Sequence, residues 1–183
     1  NGYYNAYYNN PYFVAANNRQ NIRNDYFMGN TQLDFKPLEW LDFTGRVGMT
    51  TANQSYKYHT GRFIFTPYAA GLHSGTYKAS NILGSVTDAF NYTTNIVSDF
   101  IAHATHTNGD FKLDYTALFQ YVQNQNSGMS ASVNGLVLDD LYNLGNSVNP
   151  PSAGQANYLA RVFGVSGKVD VAYKNYLFLS FTG

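Results

Sequence analysis

Residues 25–50 read DYFMGNTQLDFKPLEWLDFTGRVGMT, and this stretch decides the fold. Phe27, Gly29, Thr31, Leu33 and Phe35 alternate with Met28, Asn30, Gln32, Asp34 and Lys36. Successive side chains on a strand point to opposite faces, so the first set makes an apolar or small face and the second a mostly polar one. After Pro37-Leu38-Glu39-Trp40 the alternation resumes, with Leu41, Phe43, Gly45, Val47 and Met49 against Asp42, Thr44, Arg46, Gly48 and Thr50. A helix would smear this period of two around its circumference. Pro37 has no amide to donate, which places the turn at 37–40 between strands 26–36 and 41–52. Each strand is near the length that a tilted strand needs to cross a bilayer.

The pattern returns twice. Strands are expected at about 97–107 and 110–123, around an Asn108-Gly109 turn whose residues both tolerate positive φ. Phe111, Leu113, Tyr115, Ala117, Phe119 and Tyr121 share one face there, and Lys112, Asp114, Thr116 and Gln120 the other, with Leu118 as the exception. In the third hairpin, 157–183, Phe163, Val165, Gly167, Val169, Val171 and Tyr173 oppose Gly164, Ser166, Lys168, Asp170 and Ala172, and Lys174-Asn175 makes the turn. Residues 1–24 read as a loop. Long loops are expected at 53–96 and 124–156, where Gly and Pro interrupt the period; a strand pair, Gln54–Tyr58 with Arg62–Thr66, is weakly indicated inside the first. The alternation still runs at Phe181-Thr182-Gly183, so the chain is expected to be a segment of a longer protein.

Composition narrows the solvent. Charged residues are 12% and aromatics 17% of the chain, against roughly 25% charged in an ordinary soluble domain. Lipid-facing strands joined by polar uncharged loops would give this balance. Zero formal net charge offers nothing to a nucleic acid, which needs a basic surface. With no cysteine, a disulfide framework and thiolate metal sites are excluded. Tight turns alternating with long loops are the asymmetry of an outer-membrane barrel, with the long loops extracellular, and aromatics crowd the tight-turn ends as an interfacial girdle would. The expected fold is all-β: an antiparallel transmembrane β-barrel segment of about six strands, three tight-turn hairpins joined by long loops.

Asn10-Pro11-Tyr12-Phe13, Arg23 to Gly29, Lys36-Pro37-Leu38-Glu39-Trp40-Leu41 and Thr44-Gly45-Arg46-Val47-Gly48 resemble the mid-barrel region of the SusC/RagA family of TonB-dependent outer-membrane transporters. Asn149-Pro150-Pro151, Arg161 to Val165, Tyr173-Lys174-Asn175-Tyr176-Leu177-Phe178-Leu179 and Thr182-Gly183 resemble the same family's following strands, in order. The loops 53–96 and 124–156 carry no such likeness. The resemblance implies a barrel of about 22 strands around a plug, energy delivered by TonB through a part of the protein outside this segment, and a SusD-like surface lipoprotein as lid. It implies an oligosaccharide or peptide as cargo, outer-membrane lipid as surroundings and the bacterial outer membrane as location. The alternative class is a soluble all-β sandwich that binds a ligand, in which a second sheet would cover the apolar face.

No catalytic constellation stands out, so the expectation is a non-enzyme without cofactor or metal. His103 and His106 lie three apart on a strand, which sends their rings to opposite faces, whereas a metal site needs three or four converging ligands. Asp139-Asp140 could serve as paired carboxylates, but adjacent acids in a Gly- and Asn-rich stretch suit a solvated turn better. The candidate ligand contacts are Tyr56, Tyr58, Tyr68, Tyr77, Tyr92 and Tyr142, whose flat rings and polar tips suit sugars or peptides. Asp42, Arg46, Lys112, Asp114, Lys168 and Asp170 are expected to form a cross-strand charge network lining a wet interior.

Overall fold

The computed structural model describes residues 11–65, 81–174 and 176–183. A short helix α1 (Pro11–Asn17) precedes strands β1 (Arg19–Leu38), β2 (Leu41–Phe63), β3 (Ile82–Asn108), β4 (Phe111–Asn134), β5 (Ser152–Tyr173) and β6 (Leu177–Thr182). Among the described residues all six strands form one antiparallel sheet in sequence order, with β1 and β6 outermost and unpaired to each other. β6 pairs with the end of β5, from Lys168 opposite Thr182 to Tyr173 opposite Leu177. No described helix is long and apolar enough to cross a membrane; crossing by strands is a separate matter.

The hairpins stand where the alternation puts them, but the strands run well past the expected ends. β2 continues from 52 to Phe63, β3 begins at Ile82, β4 reaches Asn134 and β5 begins at Ser152, so much of 53–96 and 124–156 is strand and not loop. Gln54–Tyr58 and Arg62 belong to a single strand instead of a pair, and Thr66 lies outside the described residues. Within 1–24, the expected loop contains α1 and the start of β1.

Glycine explains part of the error. A Cβ on Gly61 would lie 2.4 Å from the Cβ of Asn17, and one on Gly128 would meet the Asn91 side chain at 3.3 Å. Both glycines sit inside strands at points of close approach, a role that looks like a break in the sequence. Pro37 likewise lies within β1, an outermost strand of the described sheet, where its missing donor is tolerated. The middle turn also shifts by one residue: Gly109-Asp110 connects β3 to β4, with Gly109 at φ +60 and Asn108 still in its strand. Positive φ at the first central residue alone suits a II′ turn, which asks for Gly there.

The chain divides into two compact units, each assembled from three separate segments. The turn unit comprises 26–52, 93–126 and 157–183; the loop unit comprises 1–25, 53–92 and 127–156. None of the described large apolar side chains in the turn unit is buried. They pack ring against ring across neighbouring strands instead: Phe43 on Phe100 at 5.8 Å, Tyr121 on Phe163 at 5.1 Å, and Phe111 on Tyr173 at 4.7 Å between centroids. The loop unit holds a small core of Val86, Val133 and Leu136, with Tyr142 and Leu144 against it.

Candidate functional site

In the turn unit, the face opposite those rings carries several clusters of hydrogen-bonded polar groups. His103 of β3 places Nδ1 2.9 Å from an Asp42 carboxylate oxygen on β2, and its Nε2 lies 3.9 Å from Asp114 on β4. Thr105 donates to Asp114 at 2.6 Å, and Lys112 lies 3.5 Å from the same carboxylate. Gln120 donates to Asp99. Toward β1, Thr44 and Gln32 both donate to Asp34, and Arg46 donates to the Gln32 side-chain oxygen. Toward β6, Asp170 takes Lys168 at 2.7 Å and the Ser180 hydroxyl. A cavity of about 480 Å³ opens between Lys112, Asp114, Asp170 and Ser180.

The expected network forms only in part: Lys112–Asp114 and Lys168–Asp170 pair within single strands and Arg46 bonds Gln32, while His103, which sequence reading missed, links Asp42 on β2 to Asp114 on β4. Considered as a metal-ligand partner of His106, it turns instead to carboxylates on the two flanking strands. The missing signal was cross-strand register: His103 and Asp42 are 61 residues apart in the chain. Each of the four carboxylates Asp34, Asp42, Asp114 and Asp170 has a hydrogen-bond donor or cation within reach. Such a face holds water and polar surfaces through exchangeable hydrogen bonds.

In the loop unit, residues 135–149 fold on their own buried centre. The Asn146 side chain, 6% exposed, accepts from the Leu138 amide and donates to the carbonyls of Leu138 and Leu141. Those bonds replace what a strand ladder would have supplied to a bent backbone. Arg62, at the end of β2, reaches the Val137 carbonyl and the Asp139 carboxylate, each at 3.2 Å. Asp139 is thereby occupied as a loop anchor, and Asp140 sits at φ 56, a left-handed conformation that Asp tolerates.

The candidate tyrosines are dispersed. Tyr142 stacks on the His59 ring at 3.6 Å between centroids, while His59 Nδ1 lies 3.1 Å from the Asn17 carbonyl at the end of α1. Burial first, and then the Asp140 carboxylate, raise the Tyr142 phenol above its ordinary 10.0. One face of this ring is thus already used in packing. Tyr56 and Tyr58 are half-buried on β2, and Tyr92 is exposed on β3, so all three are strand residues and not loop residues. Tyr56 lines a cavity of about 410 Å³ with Arg23, Lys57, Asp88 and Phe90, and Lys57 and Asp88 form an ion pair at 3.1 Å. Tyr68 and Tyr77 lie outside the described residues.

No protein-family model and no curated protein sequence matches the chain. Solved structures do. The RagAB peptide transporter superposes with a TM-score of 0.70 at 13% identity, over 94% of this chain and 18% of that one. The RagAB peptide importer in its open-open state gives 0.65 at 15% identity over 94% and 18%. Its closed-closed state gives 0.61 at 14% over 89% and 17%. At such identity the likeness concerns the fold, and the chain spans less than a fifth of those chains. This chain has the fold of a section of a transporter barrel.

Proposed function

We propose that the chain is part of the barrel wall of a TonB-dependent outer-membrane active transporter that imports oligosaccharides or peptides. The observation that carries this reading is the polarity of the turn unit. Val47, Phe100 and Phe119 lie on β2, β3 and β4, strands with neighbours on both sides, yet are 46%, 51% and 44% exposed. Burying a large apolar side chain fully is worth about 1.5–3 kcal/mol, a gain that a water-soluble sheet would take by covering this face. A hydrocarbon surrounding removes the penalty, and the hydrogen-bonded charge network on the other face belongs against water.

The run Phe111 to Tyr121 of β4 gives about 33 Å of apolar face at ~3.3 Å per residue, enough when tilted for an apolar band ~25 Å tall. The likeness to peptide importers favours a peptide over an oligosaccharide as cargo. A SusD-like lipoprotein, and TonB acting through a part of the protein outside these residues, are the partners this reading carries; catalysis is not part of it. The ligand-contact role extends to Tyr56, Tyr58 and Tyr92, whose rings are not committed as that of Tyr142 is, and to Tyr68, Tyr77 and Tyr142 as weaker candidates.

The test is an immunoblot of fractionated source cells with an antibody against residues 110–120, boiled and unboiled samples side by side. The expected band is several times heavier than 20.4 kDa, sits in the outer membrane and shifts on boiling. A soluble band near that mass with no shift would end the transporter reading and leave a soluble binding module.

A further inference from the structure

The described residues contain the dipeptide Asn-Gly twice, and the fold treats the two copies differently. Asn108-Gly109 ends β3 at the tip of a two-residue turn; both residues are exposed, and a Cβ on Gly109 would meet nothing within 4 Å. None of the backbone hydrogen bonds that tie turns and loops together uses the Gly109 amide. Asn134-Gly135 ends β4, but Gly135 is buried and its amide donates to the Gly84 carbonyl at 3.0 Å. The Asn134 carbonyl is held as well, accepting from the Ser147 hydroxyl and the Asn149 side chain.

We propose that Asn108 is a site of spontaneous deamidation and that the fold protects Asn134 from the same reaction. Asn is a thermolabile side chain, and the following residue supplies the nucleophile. The Gly109 amide nitrogen attacks the Asn108 side-chain carbonyl carbon, forming a nitrogen–carbon bond. The carbon–nitrogen bond to the side-chain amine breaks, and ammonia leaves with the proton given up by Gly109. Solvent water then opens the five-membered imide at either carbonyl, giving Asp or a β-linked aspartate. No oxidant, reductant or other reagent is required. Glycine leaves the attacking nitrogen unhindered and the backbone free to turn toward the side chain. At Gly135 the amide proton is engaged, and reaction must wait for local opening of the loop unit.

Either product has a consequence for the turn. It places a new carboxylate beside Asp110, whose side chain lies 3.1 Å from Lys174 and whose carbonyl accepts from the Lys174 amide. A β-linkage also adds a backbone atom at a turn where loop length sets register.

The experiment holds the intact protein, folded in detergent, in mildly alkaline buffer for several days. Proteolysis and mass spectrometry then quantify the amide-to-acid exchange at Asn108 and Asn134, with a boiled sample kept in urea as the parallel arm. The expected result is conversion at Asn108 at least about tenfold faster than at Asn134 in the folded protein, because exchange of a protected amide is limited by its opening equilibrium. In urea the two rates should converge. Equal rates in the folded protein, no conversion at either site, or a difference that persists in urea would each overturn the proposal.

Discussion

The turn unit and the loop unit use the same strands in opposite ways. In the turn unit large apolar side chains stay exposed, and the polar ones bind one another across strands, as in Asp42–His103 and Ser180–Asp170. In the loop unit the few buried residues are apolar, Val86, Val133 and Leu136, and the buried amide of Asn146 organises a loop. The first arrangement suits a sheet with hydrocarbon on one face and water on the other; the second adds a small buried centre, although Leu83, Leu138 and Val148 of the loop unit stay exposed as well.

The comparison breaks most sharply at Ala117, exposed on the apolar face of β4 near the middle of the Phe111 to Tyr121 run. The small residues Ala102, Ala104 and Gly167 line an open space beside it. In water Ala117→Arg should change stability by no more than about 0.5 kcal/mol. In a bilayer it should cost about 2–4 kcal/mol. Urea unfolding of the wild-type and variant proteins in lipid vesicles and in detergent-free buffer distinguishes the two; a negligible cost in vesicles would contradict a lipid-facing turn unit.

Asn146→Ala is the corresponding probe of the loop unit. It leaves the Leu138 amide and carbonyl without partners and the Leu141 carbonyl with the Asn143 amide alone, at an expected cost of about 1–3 kcal/mol. That loss should appear as faster hydrogen exchange confined to residues 135–149. Exchange that quickens equally in the turn unit would show the two units to be coupled more tightly than their separate packing suggests.

A smaller effect is expected from pH. The folded loop unit keeps Tyr142 protonated above 10.0, where the unfolded chain releases the proton. The folded state then binds more protons, so stability falls as pH rises through that region and is unaffected below it. Tyr142→Phe should abolish this alkaline loosening, read from exchange of the same loop amides above pH ~10. If the variant loosens identically, the phenol is not the responsible group.

The smallest expected change is at Lys57→Ala. The Lys57–Asp88 pair is at least a third exposed on both sides, and such pairs contribute about 0–1 kcal/mol. A denaturation midpoint indistinguishable from the wild type is the expected outcome. A large shift would assign this ion pair a structural role that its exposure argues against.

Much of this architecture was legible before any coordinates. The runs Phe27 to Phe35, Phe111 to Tyr121 and Phe163 to Tyr173 placed three hairpins and their faces, and the turns at 39–40 and 109–110 fall within a residue or two of their expected positions; of the third expected turn, Lys174 lies between β5 and β6 and Asn175 is outside the described residues. The errors have shared causes. Pro37, Gly61 and Gly128 read as interruptions, yet all three sit inside strands. A missing side chain or amide looks the same in a sequence whether it frees a turn or lets another segment approach. The candidate site was less legible: His103 was visible as a residue, but its partners come from β2 and β4, and Tyr142 gave no sign of its stack on His59.

By itself the sequence determined the strands, their apolar and polar faces and the approximate turns, because the period of two follows from covalent geometry at each residue. Its charge-poor, aromatic-rich composition also pointed to a face without water. Only the tertiary structure decided how far β2, β3, β4 and β5 extend and which carboxylates meet His103. It alone distinguished the open amide of Gly109 from the bonded amide of Gly135. Each of these depends on which strand or loop lies beside a residue, and that is set by pairings between segments tens of residues apart.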